Sequence, residues 1–408
     1  MQVDIQALGT YNSLAREGAG RAAESLSMLT GVETSVDVTR LSLAKSADLQ
    51  QTLSEWDMTG VHIGFDGGLA GDALLVFEQG TADHLLGEVL PRLLDRDSVG
   101  REGITEVGNI VTSGFLDGWA DYLGTTIDIE PPEYVGPARA AELVQSEDAA
   151  VAGEHLFAFE SHLGALDEDV SFHLYLLPER ESFARLLREG DGDGAAVDVE
   201  KLSTFNRLAA KGAEGASETM TTMTGMDTAV DVSRLSFVPI EDAPSHVGDD
   251  RYVGVVLELD GTPSGYVAIL FDEPSARNIA AALLPTEPDD AFEGMTRSAL
   301  EEIGNVMTSG FIDGWANVLE TTIDHSPPSF VHDMGSALVD PIAARLGRTQ
   351  EHAFIVDTVI RTDDREVGCD IYVLPEADEL SAALRSIEAD QPLDTEPRSF
   401  AGMKNGEM

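Results

Sequence analysis

Apolar residues recur at helical spacing over residues 8–30 and again over 202–224, two segments rich in Ala and Gly, and each predicts a helix. A strand follows each. In the second half, residues 252–258 and 265–271 run through β-branched and aromatic side chains on either side of Asp260-Gly261, which is a hairpin pattern. A short helix over 274–284 comes next. The longest amphipathic stretch is 297–320, where Leu300, Ile303, Met307, Phe311 and Val318 form one apolar stripe. Its counterpart in the first half is Ile104, Val107, Val111, Phe115 and Tyr122. Strands are expected around 329–331, 353–361 and 366–374, and a final helix over 377–387. This order predicts an α+β fold, with long helices packed on a largely antiparallel sheet.

The same pattern is written twice. Residues 106–132 align without a gap to 302–328, with 18 of 27 positions identical. Outside that window, TGVETSVDVTRLS from Thr30 matches TGMDTAVDVSRLS from Thr224, and HLYLLPE from His173 matches DIYVLPE from Asp370. Two tandem domains are therefore expected, at 1–188 and 201–387, with an acidic linker at 189–200 and a disordered polar tail at 388–408. An EF-hand opening at Asp191 and Asp193 is disfavoured, because Ala196 stands at the turn-glycine position and Leu202 at that of the bidentate Glu.

Charge narrows the set of partners. Asp and Glu number 74 against 25 Lys and Arg, a net of -49, so nucleic acid and anionic membranes are excluded as partners. Lysine is confined to four positions, a balance that reads as adaptation to a salt-rich, halophilic cytoplasm. At molar salt the Debye length is about 3 Å, so recognition must rest on contact chemistry. With 43% apolar residues in periodic runs the chain is expected to pack rather than to be disordered. No run is long enough to span a bilayer. The start of the chain shows no secretory signal, which makes cytoplasm the expected location. Cys369, the one cysteine, reads as a free buried thiol, and the nine histidines show no ligand spacing. Gly18-Ala-Gly20 lies in a helical stretch and suggests close helix packing, and Trp119 and Trp315, in register, suggest core anchors.

Candidate chemistry gathers on the long helix. Ser298, Glu302 and Asn305 fall at i, i+4 and i+7, on a face turned away from the apolar stripe. An exposed Glu in so acidic a chain is background, whereas an Asn in mid-helix is a mediocre helix former and calls for a reason. Glu106 and Asn109 stand at the matching positions, while Asp121 faces Asn317 in the same alignment.

In these residues the chain resembles the CheC, CheX and FliY phosphatases of bacterial and archaeal chemotaxis. Their motif is Asp or Ser, three residues, Glu, two residues, Asn, then twenty-two residues and Pro. Ser298, Glu302, Asn305 and Pro328 satisfy it, and Glu106, Asn109 and Pro132 do so with Glu102 in place of the Asp or Ser. Many members carry the motif again on the first helix, but Ser13 and Arg16, and Arg207 and Ala210, occupy those positions here. One active face per copy is therefore expected. Nothing resembles the extra flagellar-switch domain of FliY, so the likeness is to a tandem CheC.

The resemblance implies two CheC-like domains that hydrolyse the phospho-aspartate of phosphorylated CheY. Asn305 and Asn109 would position the attacking water, and Glu302 and Glu106 would pair with the receiver's lysine. Ser298 and Glu102 would support the contact, and Pro328 and Pro132 would shape the adjoining loop. No cofactor of its own is implied, since Mg²⁺ resides in the receiver. The receptor deamidase CheD is a further implied partner. The alternative is a CheC-like scaffold that holds CheY-P or CheD without turnover.

Overall fold

In the computed structural model the described residues are 2–386, apart from 4, 31–32, 56–57, 79–80, 82–99, 145–149, 153–154, 166–170, 190–196, 249, 287, 289–290, 320 and 363–366. Most of the expected linker and the whole of the expected tail lie outside them, as do Asp191 and Asp193. The first copy contains α1 (Ile5–Thr30), β1 (Thr34–Lys45), α2 (Ser46–Glu55), β2 (Met58–Gly67), β3 (Gly71–Glu78) and α3 (Arg101–Leu123). It continues with β4 (Ile127–Ile129), β5 (Glu133–Val135), α4 (Pro137–Leu143), β6 (His155–Ala165), β7 (Ser171–Pro178) and α5 (Arg180–Glu189). The second copy repeats the order, with α8 as an additional element among the described residues: α6 (Val199–Thr224), β8 (Thr228–Pro239), α7 (Ala243–Val247), β9 (Arg251–Gly261), β10 (Gly265–Asp272), α8 (Glu273–Leu283) and α9 (Gly294–Val318). It closes with β11 (Ile323–His325), β12 (Ser329–Met334), α10 (Gly335–Leu346), β13 (His352–Thr362), β14 (Gly368–Pro375) and α11 (Ala377–Ser386).

The α+β architecture expected from the sequence is present, and every described ladder is antiparallel. The two copies, however, share one sheet. Its order is β11-β9-β10-β14-β13-β8-β1-β6-β7-β3-β2-β4, with β12 also on β9 and β5 also on β2. The junction is β8 against β1, in the register Leu235↔Leu43, Ser236↔Ser42 and Phe237↔Leu41. In the TRLS/SRLS repeat Ser42 and Ser236 are equivalent residues, and their hydroxyls meet at 3.3 Å. A local two-fold axis passes between them, the geometry of an isologous dimer inside one chain. Val197–Asp198, within the segment read as linker, pairs with Gln2–Val3, and α6 already begins at Val199. The acidic composition of 189–200 therefore conceals a short strand and the first turn of a helix.

One face of the sheet carries α1, α3, α6 and α9 over a single core that runs through both copies. On the other face α7 and α10 cover a second core around Ala268 and Ile355, and α2 and α4 a third around Leu74 and Leu156. The sequence reading passes over these covering helices. Pro341 interrupts the helical pattern of α10, although Val339, Ile342, Ala343 and Leu346 keep helical spacing and are buried. The predicted stripes hold at Ile104, Val107, Val111 and Phe115 and at Leu300, Ile303, Met307 and Phe311, all buried. Tyr122 is a correction. It is 56% exposed, because the last turn of α3 turns Trp119 and Leu123 to the core instead. Trp119, Trp315 and Cys369 are buried as expected.

Helices approach closely where glycine permits. A Cβ on Gly18 would lie 2.9 Å from the Phe115 carbonyl oxygen, and one on Gly212 would lie 2.7 Å from that of Phe311. Against the sheet, Gly108 and Gly304 sit over Val61 and Val255, where a Cβ would collide with the valine side chain. Gly20, by contrast, has open space around it, so only the first glycine of the Gly-Ala-Gly run does the packing. A charged cluster crosses the seam between copies. Arg40 binds Glu160 at 2.6 Å, the equivalent Arg234 binds Asp357 at 2.8 Å, and Arg234 also reaches Glu160 at 3.8 Å. Burial acts to raise both carboxyls, but the guanidiniums of Arg40 and Arg234 hold Glu160 and Asp357 below the usual carboxylate range.

Two stability experiments follow from this packing. Gly18→Ala is expected to cost about 1–3 kcal/mol through the clash with α3, while Gly20→Ala gains up to about 1 kcal/mol of helix propensity; thermal melts in molar KCl read both. Burial, then the charge of Asp357, raises Asp370 to about 6. Its protonated form therefore favours the fold, and that contribution is lost as pH rises through about 6. Asp370→Asn should raise the melting temperature at pH 7.5, with the gap narrowing toward pH 5.

Candidate functional site

The polar face of α9 is left open by the burial of its other sides. With Leu300, Ile303 and Met307 sealed against the sheet and Gly304 pressed on Val255, the residues at i, i+4 and i+7 turn outward. Ser298 and Glu302 are exposed, and Asn305 is half-buried. They line an open cleft of about 600 Å³ together with Glu301, His325, Ser326, Pro327 and Pro328. The structure thus brings all four residues of the predicted second-copy set to one place.

The far wall of the cleft is fixed by strand pairing. β11 adds to β9 through Leu259↔His325, Asp260↔Asp324 and Gly261↔Ile323. One residue on, the Ser326 amide donates to the Glu258 carbonyl and the Glu258 amide donates to Ser326 Oγ, each at 2.9 Å. These bonds hold the Pro327-Pro328 turn beside the helix. A hydrogen-bonded chain then ties wall to helix: Ser309 Oγ donates to the Asn305 carbonyl at 3.0 Å and lies 3.0 Å from His325 Nε2, and His325 Nδ1 lies 3.1 Å from the Ser326 carbonyl. The Asn305 backbone is held while its side chain stays at the cleft.

The first copy has the same frame with a different lining. Glu102 and Glu106 are exposed, Asn109 and Pro132 half-buried, and Ser113 Oγ donates to the Asn109 carbonyl at 2.6 Å. The Glu130 amide donates to the Gly64 carbonyl at 2.8 Å, as that of Ser326 does to Glu258. Ile129 stands where the second copy has His325, and Glu130 where it has Ser326. The first-helix positions are engaged otherwise. Ser13 Oγ donates to the Gly9 carbonyl, Arg16 binds Asp242 at 2.9 Å, and Arg207 donates to Thr204 Oγ1.

Sequence reasoning missed Glu301, His325 and Ser326 as cleft residues. The signal for His325 and Ser326 was their difference from Ile129 and Glu130 inside an otherwise similar window. Chemically, the site offers one amide that donates and accepts and two carboxylates, Glu301 and Glu302, on an open surface. The hydroxyl of Ser309 lies between the Asn305 carbonyl and the His325 imidazole, each 3.0 Å away, and so ties helix to wall. Such a surface suits the positioning of a group that another molecule brings to it. Among the described residues no group of three or more His, Cys, Asp or Glu could hold a metal ion, and no helix is long and apolar enough to cross a membrane.

Comparisons with known proteins give the chain its relatives. The model of the CheC-like family matches residues 104–135 and 295–332, the two windows that carry the Glu, Asn and Pro positions. CheC1 of Halobacterium salinarum, by its name a candidate CheY-P phosphatase, is 36% identical over 197 residues, which cover 47% of this chain and 98% of that protein. The CheY-P phosphatase CheC of Bacillus subtilis is 25% identical over 137 residues, 32% of this chain and 65% of that one. Among solved structures, FliY of Thermotoga maritima aligns over 47% of this chain and 96% of its own, with 16% identity and a TM-score of 0.36. The match thus has about the length of one copy of the repeat and takes in nearly the whole of the Halobacterium relative, and the chain belongs to the CheC-like family as a tandem duplicate.

Proposed function

We propose that the chain is a CheY-P phosphatase with two sites, Glu302 and Asn305 on α9 and Glu106 and Asn109 on α3. The observation that carries this reading is the repeated pair of Glu and Asn on the one free face of a helix whose other sides are packed. The names of the Halobacterium and Bacillus relatives support the substrate class.

In this reading the receiver supplies the acyl phosphate, the Mg²⁺ and a lysine, and α9 or α3 docks across that site. The amide of Asn305 or Asn109 holds a water in line with the scissile P–O bond. It accepts from the water and donates to a phosphoryl oxygen without placing negative charge beside the phosphate. The water oxygen forms the new bond to phosphorus, the aspartate carboxylate leaves, and the water protons pass out with the phosphate product. Catalysis of this kind is orientation and charge balance rather than covalent chemistry. Glu302 or Glu106 pairs with the receiver's lysine and sets the register of docking. Ser298 and Glu102 flank the contact, and Pro328 and Pro132 keep the loop clear of it. CheD would be a second partner, acting away from this chemistry.

The test is the loss of phosphate from acetyl-phosphate-labelled CheY of the same organism in molar KCl. Wild type should accelerate the decay, Asn305→Ala should keep only the share of the first copy, and the Asn109→Ala, Asn305→Ala double mutant should be inactive while still binding. A hundredfold acceleration corresponds to about 2.7 kcal/mol, within reach of one positioned water. If wild type leaves the decay unchanged with and without CheD, the chain is a binding scaffold.

A further inference from the structure

Each copy has an arginine at the edge of its Glu and Asn face that the chemistry above does not use. Arg297 directly precedes Ser298, and its guanidinium lies 5.0 Å above the centre of the Phe330 ring, two residues past Pro328. Arg101 directly precedes Glu102, and its guanidinium lies 4.8 Å above the ring of Tyr134, two residues past Pro132. Arginine and ring are both kept in the two copies, while the residues beside the arginine differ: Gly100 and Glu102 against Thr296 and Ser298. Both arginines are exposed. In a chain of net charge -49, a cation kept twice at the same edge of an acidic cleft is a conspicuous use of scarce charge.

The surroundings of the two differ in one respect. In the second copy Arg297 Nε donates to Glu301 Oε1 at 2.9 Å, so part of its charge is spent within the molecule. In the first copy Thr105 replaces Glu301, and Arg101 has no carboxylate partner among the described residues. Stacking on a ring orients the guanidinium and leaves its N–H edge open for a planar acceptor. The cleft beside it carries Glu301 and Glu302 and would repel an anionic surface, and like charges brought together cost several kcal/mol unless a cation lies between them. At molar salt such a cation acts by contact alone.

We propose that Arg101 and Arg297 are specificity-determining residues, each receiving a carboxylate on the receiver surface beside its phosphorylated aspartate. This rests on the phosphatase reading for the identity of the partner. Arg101 is ready for that contact, whereas Arg297 must exchange Glu301 for it, so the first copy docks its partner more tightly than the second. Glu301 sets the difference.

The experiment uses the full chain in molar KCl, with Asn109→Ala present so that only the second site turns over. Arg297→Gln should raise KM by at least about fivefold with kcat within twofold of its parent, as for loss of an interface arginine. Arg297→Lys should recover part of the loss. Glu301→Gln should act in the opposite sense and lower KM, which a purely structural arginine would not produce. Melting temperatures report the fold of each variant. Direct titration of a fluorescent, beryllofluoride-loaded receiver resolves a tighter and a weaker step, and the same ranking in the weaker step is read without turnover, so failure of the phosphatase reading and failure of this one are separable. An affinity unchanged by Arg297→Gln, or weakened by Glu301→Gln, overturns the proposal.

Discussion

The long helix of each copy is gripped on all sides but one, and the position of the site depends on that grip. Gly304 lets α9 settle on Val255, and Gly212 lets α6 lie against its Phe311 carbonyl. The apolar stripe then has one possible direction, and the residues opposite have one as well. Glu302 and Asn305 are presented because the opposite face of the helix is occupied. In the reading proposed above, a surface that holds a water at a set distance needs this stiffness more than it needs reactive groups.

The two-fold axis between β1 and β8 extends this order to the whole chain. Hydroxyl meets hydroxyl at Ser42 and Ser236, and the arginine–carboxylate pairs on either side are equivalent residues drawn together by the same symmetry. β4 and β11, which lie beside the Glu and Asn faces of α3 and α9, end up as the outermost strands of the path. Eleven strand spacings separate them, roughly 50 Å along the sheet, so two partners can be engaged without collision.

Much of this is legible in the sequence. Helical periodicity identifies α1, α3, α6 and α9 because each buries one broad stripe, and the β-branched hairpin around Asp260-Gly261 appears where it is expected. The clustering of Ser298, Glu302, Asn305 and Pro328 follows from spacing along one helix and one short loop. The shared sheet is not legible, since a strand such as Leu41–Ser42–Leu43 alternates in the same way whether its edge meets water or another strand. Nor is α10, where Pro341 masks a helical pattern that tertiary packing sustains. Tyr122 shows the limit of periodicity at a helix end, where Trp119 and Leu123 provide the contact instead. His325 and Arg297 gain meaning only once strand pairing brings 323–330 beside α9.

A single copy would leave β1 with a row of unpaired amides and carbonyls, an invitation to association with other chains. Duplication supplies the missing strand through the backbone itself, so the pairing is unimolecular and indifferent to dilution. It also divides the chain into parts that can drift and parts that cannot. A change at Ser42 must at once suit Ser236, whereas Ile129 and His325 answer to nothing in the other copy and are free to part company. The architecture thus permits two sites to specialise for different clients while the strand that joins them stays fixed.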